Sequence, residues 1–194
     1  NQGIVNFGSS MTLGNGVRNE ATLAIGLNQT LNAEGAGLDN QSSVNLNSGT
    51  LGGSGPLMNH SLLLGNGTIA GSGGFTNTGS VYVVGGTLAL SNTGSNSNSG
   101  QIGVSLGQQL RLSGSSLVST GMIELEGGVI SGSAMLNNST GIVSGFGTVS
   151  SQFANSGPLV ADGGILAVST TFVNSGEVVL AGGLATLSGS GAMH

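Results

Sequence analysis

The sequence that decides the fold is FTNTGSVYVVGGTLAL, residues 75–90. An apolar residue is followed two places later by Asn, then by an alternating apolar run, a Gly pair and a second apolar run. Close copies begin at Phe153 (FANSGPLVADGGILAV) and at Phe172 (FVNSGEVVLAGGLATL). Alternation with a period of two residues is the pattern of a β-strand with one buried face. Each copy therefore predicts one repeat that contains two or three short strands.

Asparagine recurs at one phase of this repeat along the whole chain. From Asn1 to Asn174 there are 173 residues over nine intervals, which gives a mean period near 19.2 residues. Ser119 interrupts the column, and Asn92 falls outside it in a longer predicted loop. The predicted column consists of Asn1, Asn19, Asn40, Asn59, Asn77, Asn98, Asn138, Asn155 and Asn174.

A repeat of this length favours the stacked coils of a parallel β-helix. Helix-pair repeats need about 34 residues or more, and each Gly in a helix costs about 1 kcal/mol relative to Ala. An immunoglobulin-like sandwich shares the short strands, but it does not explain an Asn at one fixed phase. Stacked coils place equivalent residues about 4.8 Å apart, so each Asn amide can donate to the Asn of the next coil.

The predicted fold is an all-β, parallel β-helix or β-solenoid of about ten coils, with a mean period near 19 residues and an Asn ladder. We predict a single segment over residues 1–194, expected to be part of a longer chain. Side chains such as Phe75, Val81 and Val83 are predicted to fill the core. In the coil that contains Asn138, the same phase predicts that Ile142 points inward.

The composition argues against several classes of partner. The chain has two Lys and Arg residues together and seven Asp and Glu residues, so it cannot neutralise a row of phosphates, and we predict no nucleic-acid binding. No stretch approaches the roughly 20 apolar residues of a spanning helix, so we predict no membrane insertion of this segment. The chain has no cysteine and two histidines. We therefore predict no metal site and no cofactor.

The repeated pattern of FTNTGSVYVVGGTLAL resembles the repeats of large bacterial secreted β-helix proteins. These include autotransporter passengers and filamentous-haemagglutinin-like exoproteins. The resemblance implies a right-handed β-helix, export from a Gram-negative cell, and an extracellular or cell-surface location. It also implies a non-catalytic role as an adhesin, stalk or surface filament. The partners so implied are neighbouring coils, further copies of the chain, or glycans and proteins of a host or cell surface.

Two other functions stay open at this point. Some β-helices cleave polysaccharides, and Glu124 and Glu126 lie two residues apart on one predicted strand face. Their backbones would be about 6.6 Å apart, near the carboxylate separation of inverting glycosidases. Arg111, roughly one coil earlier, is the third weak catalytic candidate. The second alternative is a fibre subunit that assembles through unpaired strands at the ends of the stack.

The position between the two inward columns predicts an outward apolar stripe. A stacked row of apolar side chains forms a contiguous patch that favours an interaction surface. Gly103 and Glu124 interrupt this row. A local register shift that turns the valines inward is the alternative interpretation. The predicted stripe consists of Leu64, Tyr82, Val143, Val160 and Val179.

Overall fold

A computed structural model of the chain describes residues 4–6, 9–169 and 171–188. The predicted ladder residue Asn1 lies outside the described residues. The strands are β1 (Ile4–Asn6), β2 (Met11–Leu13), β3 (Val17–Asn19), β4 (Thr22–Ile25), β5 (Thr30–Ala33), β6 (Leu38–Asn40), β7 (Ser43–Gly52), β8 (Leu57–Asn59), β9 (Leu62–Ile69), β10 (Phe75–Asn77), β11 (Ser80–Leu90), β12 (Asn96–Asn98), β13 (Gln101–Ser105), β14 (Gln109–Leu112), β15 (Leu117–Ser119), β16 (Met122–Gly132), β17 (Met135–Asn137), β18 (Ile142–Val149), β19 (Phe153–Asn155), β20 (Leu159–Val168), β21 (Phe172–Asn174), β22 (Val178–Ala181) and β23 (Leu184–Leu187).

These strands form a parallel β-solenoid, as the repeat predicts. Each coil begins with a three-residue strand, turns, and continues into a longer strand or strand pair. The short strands form a nine-stranded sheet, and the remaining strands form a fourteen-stranded sheet. Phe75 of β10 aligns with Leu57 of β8 and with Asn96 of β12, so equivalent positions of successive coils lie beside each other.

Glycines bend the long strand of a coil into two arms. In β11 the bend lies at Gly85 and Gly86, whose φ angles are +79° and +143°. Such left-handed backbone favours Gly because it has no Cβ. The first arm pairs with the first arms of neighbouring coils and the second arm with their second arms. Each coil therefore has three sides around one core.

Apolar columns fill the inside of the solenoid. Phe75, Val81, Val83 and Leu88 are buried in one coil, in the inward alternation that the sequence predicts. Toward the C-terminal coils, the rings of Phe153 and Phe172 stack with their centroids 5.4 Å apart. The core is thus one continuous apolar column rather than a series of separate clusters.

The Asn ladder is present, and its members are the last residues of eight of the nine short strands. Along the ladder an amide nitrogen donates to the side-chain oxygen of the asparagine in the next coil, at 2.8 Å from Asn19 to Asn40 and 2.7 Å from Asn77 to Asn98. The side chains are buried, with Asn77 at 0% exposure. The same nitrogens also donate to backbone carbonyls, such as that of Gln101. The ladder consists of Asn19, Asn40, Asn59, Asn77 and Asn98, followed by Asn137, Asn155 and Asn174.

One predicted ladder residue is wrong by one position. Asn137, not Asn138, occupies the ladder, and its amide donates to Asn155 Oδ1 at 2.7 Å. Five residues separate Asn137 from the next inward residue, Val143, whereas three separate Asn77 from Val81. The longer turn shifts the phase of this coil, so Ile142 is exposed and Val143 is buried.

Asn92 lies in the predicted loop, between β11 and β12, but its side chain is buried there. Asn92 is 1% exposed, and its amide donates to Asn96 Oδ1 at 2.7 Å. Asn96 occupies the apolar starting position of its coil and is 2% exposed. The amide of Asn96 in turn donates to the carbonyl of Ser115 at 3.2 Å. A short polar network therefore accommodates an asparagine in the core at this coil.

The ladder is interrupted at Ser119. The hydroxyl of Ser119 accepts from Asn98 at 3.1 Å and donates to the carbonyl of Gly121 at 3.3 Å. It has no further proton to offer to Asn137. The Oδ1 atom of Asn137 is buried and has no hydrogen-bond donor among the described residues.

We predict that Ser119→Asn stabilises the solenoid. The new amide would accept from Asn98 and donate to Asn137 Oδ1. The hydrogen bond to this buried acceptor should raise the free energy of unfolding by about 1 kcal/mol. Chemical denaturation should show a gain of that size. Ser97→Asn is the control, because Ser97 points outward from the neighbouring short strand and should leave stability unchanged. A loss of stability in Ser119→Asn would show that the gap does not hold an amide.

Candidate functional site

The outer surface of the nine short strands is the most distinctive face of the molecule. The middle residue of each short strand points away from the core, so one side chain per coil forms a row. We call this row the short-strand face. From the N-terminal to the C-terminal coil it consists of Arg18, Asp39, Met58, Thr76, Ser97, Val118, Leu136, Ala154 and Val173. Its chemistry changes from charged to apolar along the row.

The N-terminal part of the face carries a charged cluster. The guanidinium of Arg18 lies 3.0 Å from Glu20 and 3.9 Å from Asp39. Asp39 accepts a hydrogen bond from the Gln41 amide at 2.6 Å, and His60 Nε2 lies 3.6 Å from the same carboxylate. These groups are solvent-accessible, and exposed ion pairs contribute about 1 kcal/mol or less. The cluster therefore marks a polar surface rather than a source of stability.

The C-terminal part of the face forms an apolar groove. Val118, Leu136, Ala154 and Val173 project into it, and Leu136 and Val173 are 36% and 45% exposed. The polar residues Ser116, Gln152 and Thr171 also line the groove, whose volume is about 370 Å³. This apolar row is not among the surfaces predicted from the sequence. Its signal is the residue between the core position and the ladder asparagine, which is apolar in the last four short strands.

The weak catalytic candidates do not converge. Glu124 accepts a hydrogen bond from the Gln101 amide at 3.1 Å. Glu126 lies on the same strand and accepts from the Ser105 hydroxyl at 3.5 Å. Arg111 lies on β14, where its backbone aligns with Ala89 and Ser131, and no ion pair joins it to either glutamate among the described residues. The two carboxylates thus share a face, but the arginine belongs to another arm of the coil.

The predicted outward stripe is interrupted at Val143 by a local register shift, the alternative interpretation of the sequence. Val143 is buried at 0% exposure, so its place in the predicted stripe is wrong. Ser144 takes the outward position instead, because it aligns with Glu124 on one side and with Val160 on the other. Val160 and Val179 remain half-buried neighbours on adjacent strands.

At the N-terminal end of the predicted stripe, Leu64 aligns with Tyr82, and Tyr82 aligns with Gly103. A Cβ on Gly103 would lie 2.7 Å from the tyrosine ring, so the ring covers this glycine. The stripe therefore consists of two short apolar pieces, one at each end, rather than one surface.

The carboxylate of Glu34 is held by the neighbouring coil through two hydrogen bonds from Ser54. The hydroxyl and the backbone N–H of Ser54 both donate to its carboxylate, the N–H at 3.0 Å. These two hydrogen bonds, the hydroxyl first, lower the pKa of Glu34. The carboxylate lies at the surface, so it links neighbouring coils through a bond that depends on its charge.

We predict a pH-dependent contribution from this link. Because the folded pKa is below the unfolded value of about 4.3, the stabilisation is present above that value and is lost as the pH falls through the folded pKa. The melting temperature of the wild type should exceed that of Glu34→Gln at neutral pH, and the difference should shrink on acidification. Ser54→Ala removes the hydroxyl donor and should show part of the same effect. A difference that does not change with pH would refute this assignment.

The described residues contain no group of three or more His, Asp or Glu side chains placed to hold a metal ion. No helix among them is long and apolar enough to span a membrane. Comparisons of the chain with protein-family models, with curated protein sequences and with solved structures found no match.

Proposed function

We propose that the chain is a non-catalytic segment of an extracellular β-solenoid protein, which acts as a rigid rod or as an adhesive surface. The observation that supports this proposal is the uniform stacking of the coils. Nine short strands pair in one parallel sheet, and the Asn ladder joins most of them. Eight steps of about 4.8 Å make this sheet roughly 38 Å long.

A rod of this kind presents surface rows instead of a cleft. Repeat proteins of quasi-linear form use such extended surfaces for binding. The resemblance of the repeat to autotransporter passengers and filamentous-haemagglutinin-like exoproteins supports a location at a bacterial cell surface. An adhesive role would use the outward rows, since the ladder and the core columns are buried.

Polysaccharide cleavage is the second candidate, and one observation favours it. Glu124 and Glu126 point to the same side of β16, and each is positioned by a hydrogen bond from the preceding coil. A glycosidase needs one protonated and one ionised carboxyl group on either side of the bond that it cleaves. The fold does not bring a third polar group into contact with both carboxylates among the described residues.

One pair of assays distinguishes these functions. Beads coated with the purified chain are tested for retention on epithelial and bacterial cell layers, with beads carrying the heat-unfolded chain as the control. The same protein is incubated with polygalacturonate, alginate and chitin fragments, and new reducing ends are measured. We expect retention that Glu124→Gln and Glu126→Gln leave unchanged, without release of sugar ends. Sugar release that Glu124→Gln abolishes would overturn the non-catalytic proposal.

A further inference from the structure

Charge is distributed unevenly over the short-strand face. The chain carries a formal net charge of −5, so copies of it repel each other in general. The charged cluster of Arg18, Glu20 and Asp39 lies at the N-terminal coils. The last five short strands and the residues beside them contain no charged side chain, over residues 95–99, 116–120, 134–138, 152–156 and 171–175. Two copies can therefore approach through this part of the face without repulsion between carboxylates.

The apolar groove lies within this uncharged region. Along the groove its four projecting side chains are intermediate, large, small and intermediate in size: Val118, Leu136, Ala154 and Val173. If a second copy lies antiparallel across the groove, with a two-fold axis between Leu136 and Ala154, each Leu136 faces the Ala154 of the partner copy. Val118 then faces Val173 at both ends. The largest side chain thus meets the smallest, and the two intermediate ones meet each other.

We infer that the apolar groove pairs with the same groove of a second copy of the chain, through this two-fold arrangement. A two-fold interface uses one surface patch twice, so the patch must be complementary to itself. The order of side-chain sizes along the groove meets this requirement. The occupant must also match the spacing of the row, about 4.8 Å per coil. A second copy has the same spacing because it consists of the same stacked coils. Its side chains can therefore interdigitate along the whole groove, as those of facing sheets do.

The pairing is expected to be weak and reversible. The uncharged region covers five short strands, and its four steps of about 4.8 Å make it roughly 19 Å long. Because each short strand has only three residues, a patch of that length is small in area. A stable dimer commonly buries about 800 Å² on each partner. Self-association should therefore appear as the protein concentration rises. The inference does not rest on the proposed function, since a rod or an enzyme could pair through this face.

The test is sedimentation velocity over a wide concentration range, with a swap of the two facing side chains. Ala154→Leu fills the recess that Leu136 of the second copy occupies and should weaken self-association at least about tenfold. The double variant Leu136→Ala with Ala154→Leu restores one large and one small residue at each contact and should recover most of the affinity. Ala24→Leu, an outward change on β4 of the other sheet, should associate like the wild type. Circular dichroism checks that each variant is folded.

The outcomes separate this pairing from its alternatives. A wild type that stays monomeric at every concentration overturns the inference. So does a double variant that associates no better than Ala154→Leu, because the two side chains then do not face each other. Association that Ala154→Leu leaves intact would place the contact elsewhere, for instance at the ends of the solenoid. If Ala154→Leu does not fold, Val173→Glu, at a 45% exposed position, provides the disrupting variant instead.

Discussion

Asn77→Ala should lower the free energy of unfolding by about 3 kcal/mol. The side chain accepts from Asn59 at 2.7 Å and donates to Asn98 at 2.7 Å, and it also donates to the carbonyls of Gly79 and Gln101. Each buried hydrogen bond contributes about 1 kcal/mol net, and groups left without partners add a desolvation cost. Removal of one amide therefore weakens two coil interfaces. Urea denaturation followed by circular dichroism measures the loss.

The adjacent asparagines of the shifted coil provide the control. Asn138 lies beside the ladder and donates no side-chain bond to a neighbouring asparagine among the described residues, whereas Asn137 bonds Asn155. Asn138→Ala should therefore change stability by no more than about 0.5 kcal/mol. Equal losses in Asn77→Ala and Asn138→Ala would contradict a ladder that depends on burial and stacking.

Gly100→Ala should have an effect of similar size for a steric reason. A Cβ at this position would lie 2.0 Å from the carbonyl oxygen of Gly79 in the preceding coil. The oxygen belongs to the backbone, so no side chain can move aside, and the two coils must separate. Overpacking of this kind costs about 3 kcal/mol. The same denaturation experiment should show either this loss or a protein that does not fold.

Gly14 is the matched control for this substitution. A Cβ at Gly14 would meet no heavy atom within 4 Å, and its φ is not in the left-handed region. Gly14→Ala should therefore be neutral or slightly stabilising, because Ala restricts the unfolded chain. A Gly100→Ala protein as stable as Gly14→Ala would show that the coils do not approach as closely as the structure places them.

The sequence predicts the fold well because the fold is periodic. Each coil repeats the same requirement for an inward apolar pair and a corner amide, and the repetition reveals the phase even where one coil deviates. Among the described residues other than glycine, only Asn28 and Ser48 have left-handed φ values, so the ladder asparagines stack in ordinary backbone.

The deviations arise where local geometry departs from the mean period. Two adjacent asparagines, Asn137 and Asn138, fit the sequence pattern almost equally, and only the length of the following turn decides between them. Asn92 is buried because Asn96 brings a polar group into the core, which pattern alone does not predict.

The candidate functional surface is harder to predict than the fold. Its row has one residue per coil, and periodicity requires only that this residue point outward. The pattern of the long strands makes Leu64 and Tyr82 conspicuous, but it does not predict the groove around Leu136. The identity of an outward residue is not needed for folding, so only its neighbours in space show what surface it forms.

The most direct test of the stacked solenoid is a set of distances along the short-strand face. The chain has no cysteine, so pairs of cysteines for spin labels can be introduced at outward positions. Double electron–electron resonance spectroscopy of dilute protein should give narrow distance distributions. The mean distance between the two labels should increase by about 4.8 Å for each coil that separates them. Labels at Arg18 and Val173, eight strands apart, should be roughly 38 Å apart. Labels at Thr76 and Val173, five strands apart, should be roughly 24 Å apart. Broad distributions, or distances that do not increase in proportion to the number of coils, would contradict the account.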